Sequence, residues 1–282
     1  MKFTHYLFPI FFFLIHISCS DDDTDITIID EIESLKKVQE ITNDTHTIEL
    51  YTDTGHFSTG YNDISLRIKN NSDNTYIENA SLTWNPVMTM PTMKHSCPKS
   101  TISKVPGKNT LYNGYIIYQM THMDMSGWTL NISYTINDSS YEAKAPLLVG
   151  QSNRQNVTTI TGSDDTKYII ALIAPSVPKI AVNDVKIGVY TMEDAFSFPV
   201  VKNYSIALDP RMPSMGNHSS PNNEDLTYSD IDTMYHGRLS LTMSGYWVLN
   251  LKLINDQGML LKGEDITTCL LYTSPSPRDT DL

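Results

Sequence analysis

The chain has 282 residues, with 20 Lys and Arg against 32 Asp and Glu and a formal net charge of −12 at pH 7. This acidic balance argues against a nucleic-acid-binding protein, which needs a basic surface to contact phosphates. It is typical of a solvated surface protein and gives a mild long-range attraction for cations.

The first 18 residues have the pattern of an export signal and are excluded from the prediction of the fold. An almost entirely apolar run at residues 7–17 leads to Ser18-Cys19 and then to Ser-Asp-Asp-Asp at 20–23. The run is too short for a stable transmembrane helix. A small residue before Cys resembles a lipoprotein signal, and the acidic segment resembles the export signal of Bacteroidota surface lipoproteins. We therefore expect an outer-membrane lipoprotein, surface-exposed or facing the periplasm, anchored by a lipid on Cys19; the alternative is an ordinary signal peptide cut nearby.

Residues 19–44 are polar and acidic and are predicted to be a tether. Beyond them, apolar and polar side chains alternate with a period of two, which predicts strands. The alternating runs are residues 48–52, 64–68, 80–84, 129–134, 185–189, 204–208 and 247–253, and the apolar run at 168–174 opens the second half. The sequence therefore predicts an all-β chain with two tandem β-sandwiches, residues 45–150 and 165–268, joined by a linker at 151–164. Pro86 is expected to end the strand that contains Trp84.

Residues 269–282 follow a complete domain pattern and have no periodicity of their own. Their sequence, which begins Cys-Leu-Leu-Tyr-Thr-Ser-Pro-Ser-Pro-Arg, is similar to translated adapter sequence in assembled environmental reads. We therefore expect a non-native tail that does not pack on the domain; a genuine Ser- and Pro-rich tail is the alternative.

Four landmarks occur twice in the same order, about 120 residues apart, which indicates an internal repeat. In the first copy they are Asn-Asp at 62–63, a Met/His block at 88–97, Met-Ser-Gly at 125–127 and Trp128. In the second copy they are Asn-Asp at 183–184, a Met/His block at 212–218, Met-Ser-Gly at 243–245 and Trp247. An alignment through Pro86 and Pro210 pairs Met88 with Met212, whereas an alignment through the Met-Pro dipeptides pairs Met90 with Met212. The sequence leaves both alignments open.

Methionine and histidine are concentrated at these blocks. None of the 13 Met lies between Met1 and Met88, whereas ten Met and four of the eight His lie in or beside the two blocks. A thioether is a soft ligand that needs no deprotonation, and together with imidazole it favours Cu(I) over harder ions. The candidate metal ligands are therefore Met90, Met93, His95, Met212, Met215 and His218, with Met88, Met120, His122, Met123, Met234 and His236 as further candidates. Cys97 is a candidate thiolate ligand outside any site shared by the two copies. Core packing is the alternative for the methionines.

A Met-Pro-x-Met-x-His block, followed by Met-x-Gly-x-Trp and a last alternating strand, resembles the YtkA-like or FixH-like domain. The resemblance covers residues 45–150 and 165–268, although the second copy inserts Tyr246 between Gly245 and Trp247. It implies a small, extracytoplasmic, immunoglobulin-like domain of a family associated in part with copper handling and copper-oxidase maturation. A partner among copper proteins would follow from it.

No hydrolase, zinc-protease, phosphate-loop or CxxC motif occurs in the sequence, so we expect a binding protein and not an enzyme. Three functions fit the sequence. The first is a lipoprotein that stores, buffers or passes Cu(I). The second is a structural or adhesive tandem sandwich in which the Met-Pro-x-Met block only fills space. The third is an accessory subunit for the assembly of a copper oxidase or transporter.

Overall fold

The structure, a computed structural model, describes residues 30–121, 126–263 and 269–274. From Glu31 onward these residues belong to one compact unit. The predicted lipidation site Cys19 lies outside the described residues, as do His122 and Met123. Apart from one 3-10 turn, every regular element in the described ranges is a β-strand, which confirms the prediction of an all-β chain.

Two antiparallel sheets and one short parallel pair form the first sandwich. Its strands are β1 (Lys36–Thr42), β2 (His46–Thr52), β3 (Phe57–Ser58), β4 (Gly60–Asn70), β5 (Ser81–Thr89), β6 (Lys94–His95), β7 (Ser103–Lys104), β8 (Tyr112–Tyr118), β9 (Gly127–Ile136), β10 (Ser139–Leu147) and β11 (Val149–Gly150). One sheet has the order β1-β2-β4-β8-β7, the other has the order β10-β9-β5-β6, and β11 pairs with β3. Side chains from both sheets meet in one core.

The second sandwich is a single continuous sheet. Its strands are β12 (Val157–Thr161), β13 (Lys167–Ala174), β14 (Val182–Thr191), β15 (Ser205–Met212), β16 (His218–Ser219), β17 (Glu224–Ser229), β18 (Met234–Ser240), β19 (Gly245–Ile254), β20 (Leu260–Lys262) and β21 (Cys269–Ser274). The order is β12-β13-β14-β18-β17-β15-β19-β20, with β16 on β15 and β21 on β19. Strand β17 pairs with both β15 and β18, and side chains of both halves share one core, so the sheet folds over itself.

The strands form because their side chains alternate between core and solvent. On β9, Trp128, Leu130, Ile132 and Tyr134 are buried, whereas Ser133 on the opposite face is exposed. On β19 the corresponding buried side chains are Trp247, Leu249, Leu251 and Leu253. These two strands confirm the prediction made from the period of two.

Pro86 and Pro210 each lie inside a strand, so the prediction that Pro86 ends its strand is wrong. Pro86 pairs with Leu130 of β9 and Pro210 pairs with Leu249 of β19. A proline is tolerated in a strand where no neighbour needs its missing N–H. On the outer edges of β5 and β15 the partner strand begins only after the proline. Strand β6 pairs with β5 from residue 88, and β16 pairs with β15 from residue 211.

Three predicted segments contain strands that the sequence did not indicate. The tether at 19–44 contains β1, the linker at 151–164 contains β12, and the tail at 269–282 contains β21, which pair with β2, β13 and β19 respectively. The predictions are therefore wrong over residues 36–42, 157–161 and 269–274. Strands β1 and β12 lie at sheet edges and each has a single fully buried side chain, so their sequences carry little apolar alternation.

In both copies the asparagine of the predicted Asn-Asp landmark makes the same set of hydrogen bonds to the preceding backbone. The Asn62 side-chain oxygen accepts the N–H of the residue four positions earlier at 3.0 Å, and Asn183 does the same at 2.8 Å. Each side-chain amide also donates to the carbonyls four and two positions earlier. The same residue thus closes the same backbone loop at the start of β4 and near the start of β14, which supports an internal repeat.

An apolar cluster joins the two sandwiches. Its buried members are Ile117, Ile169, Ala171 and Tyr190. Two side-chain hydrogen bonds cross the same boundary: Tyr190 Oη donates to Tyr115 Oη at 3.0 Å, and Gln119 Nε2 donates to Thr159 Oγ1 at 3.1 Å. The sandwiches therefore meet through a packed junction and not through a flexible linker alone.

A buried carboxylate ties β1 to the five-stranded sheet. Glu49 is 2% exposed and accepts hydrogen bonds from Lys37 Nζ at 2.7 Å, Tyr51 Oη at 2.7 Å and Tyr76 Oη at 3.0 Å. Burial alone would raise the pKa of Glu49, but the bonds from these three donors outweigh it and hold that pKa below its ordinary value. The ionised form is therefore the stabilised one.

We expect Glu49→Gln to lower the free energy of unfolding at pH 7 by about 1–3 kcal/mol, because buried donors lose a charged acceptor. A carboxyl whose pKa is lowered on folding contributes stability above its unfolded pKa and loses that contribution as the pH falls through the folded value. The difference between wild type and variant should therefore shrink below about pH 4. Urea unfolding at pH 7 and at pH 3 measures both effects.

Glu40→Gln is the matched control, since Glu40 contacts the same Lys37 Nζ at 2.8 Å but is 47% exposed. Its effect should stay within about 0.5 kcal/mol at both pH values. An equal loss in both variants, or a Glu49 difference that is undiminished at pH 3, would contradict the assignment.

Candidate functional site

The Met/His block of the first copy forms a tight hairpin between β5 and β6. Met88 pairs with His95 across the two strands, and Thr89 pairs with Lys94. Between them, the Met90 N–H donates to the Met93 carbonyl at 2.9 Å and closes the turn. Met90 is half-buried against the core, whereas Met93 is 51% exposed. The hairpin thus brings the three predicted ligands Met90, Met93 and His95 into one short segment.

The imidazole of His95 is held in one tautomer and one orientation. Its Nδ1 lies 2.8 Å from the Ser96 carbonyl oxygen. A carbonyl only accepts, so Nδ1 carries a proton, and in the neutral form of the ring Nε2 carries the lone pair. The ring packs edge-on against Trp128, with ring centroids 5.6 Å apart. The side chain is buried, and Nε2 is enclosed with no hydrogen-bond partner.

An open cleft of about 730 Å³ lies at the hairpin, and both sandwiches line it. Its soft donors come from two sources: Met90, Met93, His95 and Met120 of the first sandwich, and Met192 of the second. Carboxylates of Asp165, Glu193 and Asp194 also line the cleft, together with Lys167. The cleft therefore combines thioethers and one imidazole with an acidic rim.

The second sandwich contributes to the cleft through the loop after β14. The Met192 N–H donates to the Lys167 carbonyl at 2.8 Å, which fixes the start of this loop. The Asp194 side chain accepts the N–H groups of residues 196 and 197 and stabilises the turn. The Ser96 N–H donates to the Ala195 carbonyl at 2.7 Å, so the loop is bonded to the Met/His hairpin itself.

Cu(I) suits this set of donors. Neutral thioether and imidazole ligands are the soft donors that Cu(I) prefers. A histidine ligand usually donates its other ring N–H to a carbonyl, as His95 does to Ser96. A buried polar nitrogen without a partner is costly, and a bound ion would satisfy Nε2. No group of three or more His, Cys, Asp or Glu within the described ranges is placed to hold a metal ion, so a metal site here depends on thioethers.

The second copy does not form an equivalent cluster, contrary to the prediction for Met212, Met215 and His218. Met212 is the last residue of β15 and a core side chain, 2% exposed. Met215 lies on the 3-10 turn Pro213–Met215 and is 58% exposed, and His218 is exposed. The physical reason is that β15 continues through Pro210, which turns Met212 inward and leaves the following turn in solvent.

The structure resolves the alignment that the sequence left open. Met88 and Met212 each lie two residues beyond a strand proline and each pair across a hairpin with a histidine, His95 or His218. Both methionines are core side chains. Met88 is therefore equivalent to Met212, and neither is available as a ligand.

The remaining candidate ligands in the described part of the chain do not line the Met/His cleft. Met234 is buried, and its sulfur lies 3.9 Å from Tyr190 Oη. His236 is exposed, and its Nε2 lies 2.9 Å from Asp232 Oδ1. Cys97 is fully buried, and this burial raises the pKa of its thiol well above the ordinary range, so a thiolate ligand is disfavoured.

The cleft also contains Met120, one of the further candidates, which lies in the Met-rich segment before Trp128. Gln119 lines the cleft with a buried side-chain oxygen that has no hydrogen-bond partner. Met192 is far from either block along the chain, and only the junction of the sandwiches brings it to the hairpin.

Comparison with known proteins identifies no family. No family model matches the chain, and no curated protein matches it. Among solved structures the chain is similar to one described as FdeC, a broadly conserved Escherichia coli adhesin eliciting protection against urinary tract infections, at 12% identity and a TM-score of 0.27. The match covers 84% of this chain and 66% of that chain. A likeness of this size assigns neither a family nor a function. In the part of the chain that the structure describes, no helix is long and apolar enough to cross a membrane.

Proposed function

We propose that the protein binds one Cu(I) ion in the cleft at the junction of its two sandwiches. The observation that carries this proposal is the placement of His95: its Nδ1 is bonded to a carbonyl, its Nε2 is buried without a hydrogen-bond partner, and the residue lines a cleft that four methionines also line. When bound, the ion would supply the missing partner of Nε2. The candidate ligands are Met90, Met93, His95, Met120 and Met192, of which Cu(I) would take up to four.

The chemistry of the cleft favours binding over catalysis. Thioethers and a neutral imidazole hold a soft cation without proton transfer, and the carboxylates at the rim attract cations before they are bound. The cleft is open on one side, so an ion could enter and leave. We assign the protein a role in buffering Cu(I) or in passing it to a copper-protein partner, and not an enzymatic role.

A tandem structural or adhesive surface protein is the second candidate function. It is favoured by the packed junction around Ile117 and Tyr190 and by the placement of Met88 and Met212 in the two cores. In that case the Met residues at the junction would only fill space between the domains. Metal binding at the cleft separates the two candidates.

Titration with Cu(I) against a chromophoric Cu(I) chelator tests the proposal. We expect wild type to retain one equivalent, and Met90→Leu with Met93→Leu to retain none. Leucine keeps the apolar volume, so the change should cost under about 1.5 kcal/mol per site. Met192→Leu should weaken retention as well, because Met192 lines the cleft from the second sandwich. Binding to the folded state should also raise the melting temperature of wild type.

Met212→Leu with Met215→Leu is the matched control, because it removes the same number of thioethers from the second copy. This variant should retain one equivalent, since Met212 is a core side chain and Met215 is mostly exposed. If wild type retained two equivalents and each double variant lost one, the result would support two separate sites, one in each copy. No retained Cu(I) in wild type would leave the structural or adhesive function as the better account.

We also propose that the protein is held at the outer membrane by a lipid on Cys19, which rests on the apolar run and the acidic residues that follow it. Cys19→Ala should move the protein from the membrane fraction to the soluble fraction, because no acyl chain can be attached. Mass spectrometry of the mature N-terminus is the matching measurement. Unchanged membrane association, or an unmodified N-terminus elsewhere, would overturn this assignment.

A further inference from the structure

The hydrogen bonds of Asn62 and Asn183 align one loop of the first copy with one loop of the second. Asn62 bonds to both backbone groups of Ser58, and Asn183 makes the matching bonds to Lys179. Each asparagine amide also donates to a carbonyl of the neighbouring strand, β8 in the first copy and β18 in the second. The two loops therefore correspond residue by residue, with position 58 equivalent to position 179.

In the first copy this loop is covered by the segment that leaves the sandwich. Strand β11 pairs in parallel with β3 at the loop. The Thr59 N–H donates to the Gly150 carbonyl at 2.9 Å, and the Thr59 hydroxyl accepts the Ser152 N–H at 3.1 Å. Thr59 is consequently only 3% exposed. The covering segment thus gives the loop backbone a partner and removes it from solvent.

In the second copy the corresponding loop has no such cover within the described part of the chain. Ile180, which corresponds to Thr59, is 53% exposed, and Val177 and Val182 on either side of it are 67% and 50% exposed. Among the described residues, no backbone carbonyl accepts the Ile180 N–H. The loop therefore presents three branched apolar side chains beside an unpaired backbone donor, a combination that marks an interaction surface.

The sequence after the last strand of the second copy does not repeat β11. The last strands of the two sandwiches align through Leu147 and Tyr272, which pair with the tryptophans of β9 and β19. Two residues further on, the first copy has Val149-Gly150, whereas the second has Ser-Pro at 274–275. Serine lacks an apolar side chain and proline lacks a backbone N–H. A strand like β11 for the second copy would therefore come from another chain.

The uncovered loop is held in shape by hydrogen bonds of its own. Besides the bonds from Asn183, the Ala181 N–H donates to the Lys179 carbonyl at 2.9 Å. The Ala181 carbonyl accepts the Leu241 N–H at 3.0 Å, which ties the loop to the end of β18. A loop that is already ordered loses less conformational entropy when it binds a partner.

We propose that the loop at 177–182 binds an extended segment of another protein, in which an apolar residue followed by glycine pairs in parallel with the loop. This is addition of a strand to an open backbone edge, in which main-chain hydrogen bonds supply affinity and side-chain contacts supply specificity. The first copy indicates the chemistry of the occupant, because Val149 of its covering strand is buried in the core and Gly150 accepts the loop N–H.

In the proposed complex the Ile180 N–H donates to the carbonyl of the glycine, and the apolar residue of the segment covers Val177 and Ile180. Pro178, which corresponds to Phe57, has no N–H to donate, so the pairing centres on the glycine. The proposal is independent of Cu(I) binding, because none of residues 177–182 lines the Met/His cleft.

Titration of the 15N-labelled full chain with the peptide Pro-Leu-Leu-Val-Gly-Gln, the sequence of residues 146–151, tests the proposal by amide NMR. Saturable shifts should appear at residues 176–183. The Ile180 amide should exchange rapidly in the free protein and slowly in the complex, since its N–H gains an acceptor. The Thr59 amide is the internal reference and should be protected in both. The same peptide in reverse order should bind at least about threefold more weakly, because its side chains no longer match the parallel pairing.

Ile180→Ser should weaken peptide binding at least about threefold, because a half-exposed apolar side chain no longer gains burial. Ile231→Ser is the matched control: Ile231 is 98% exposed in the turn before β18, whereas Val182 pairs with Ser240 at the other end of that strand. This variant should bind the peptide as wild type does. Both side chains point largely into solvent, so both variants should fold.

Three results would overturn the proposal: no saturable shift at 176–183, equal binding of the reversed peptide, or unchanged binding by Ile180→Ser. An Ile180 amide that is already protected in the free chain would do so as well. If that protection accompanied a dimer that Ile180→Ser dissociates, the loop would instead be an interface between two copies of this chain.

Discussion

The backbone hydrogen bond from Ser96 N–H to the Ala195 carbonyl, 2.7 Å long, ties the Met/His hairpin of one sandwich to a loop of the other. A bond of this kind contributes only about 1 kcal/mol. Its importance lies in its place beside the apolar cluster of Ile117, Ile169 and Tyr190, whose burial supplies the larger share of the association energy. Together they fix the two sandwiches, and the Met/His cleft is lined by residues of both.

The two copies share the same arrangement of strands but differ in the surroundings of the turn after the core methionine. Matching positions are occupied by the asparagines Asn62 and Asn183, by the prolines inside the strands and by the core methionines. In the first copy Met90 and Met93, close to the core methionine, line a cleft together with residues of the second sandwich. In the second copy the corresponding turn, Pro213–Met215, is exposed and does not line that cleft. The repeated landmarks therefore do not give two equivalent sites.

Much of the fold could be predicted from the sequence, because alternation records burial directly. Strands β9 and β19 bury every second side chain and were identified, whereas the edge strands β1 and β12 bury little and were missed. The site could be predicted only in part. Met90, Met93 and His95 are close along the chain and form a hairpin, but Met192 reaches the cleft through tertiary packing. No local pattern distinguishes Met212 from a ligand, since its burial depends on how far β15 continues beyond Pro210.

The central claim is that residues of both sandwiches hold one soft metal ion at their junction. X-ray absorption at the copper K-edge, on protein loaded with one equivalent of Cu(I), tests it most directly because it reports the atoms around the ion. The account predicts a first shell of thioether sulfur with one imidazole nitrogen, and loss of one sulfur in Met192→Leu. A shell of nitrogen and oxygen alone, or a sulfur shell that Met192→Leu leaves unchanged, would contradict it.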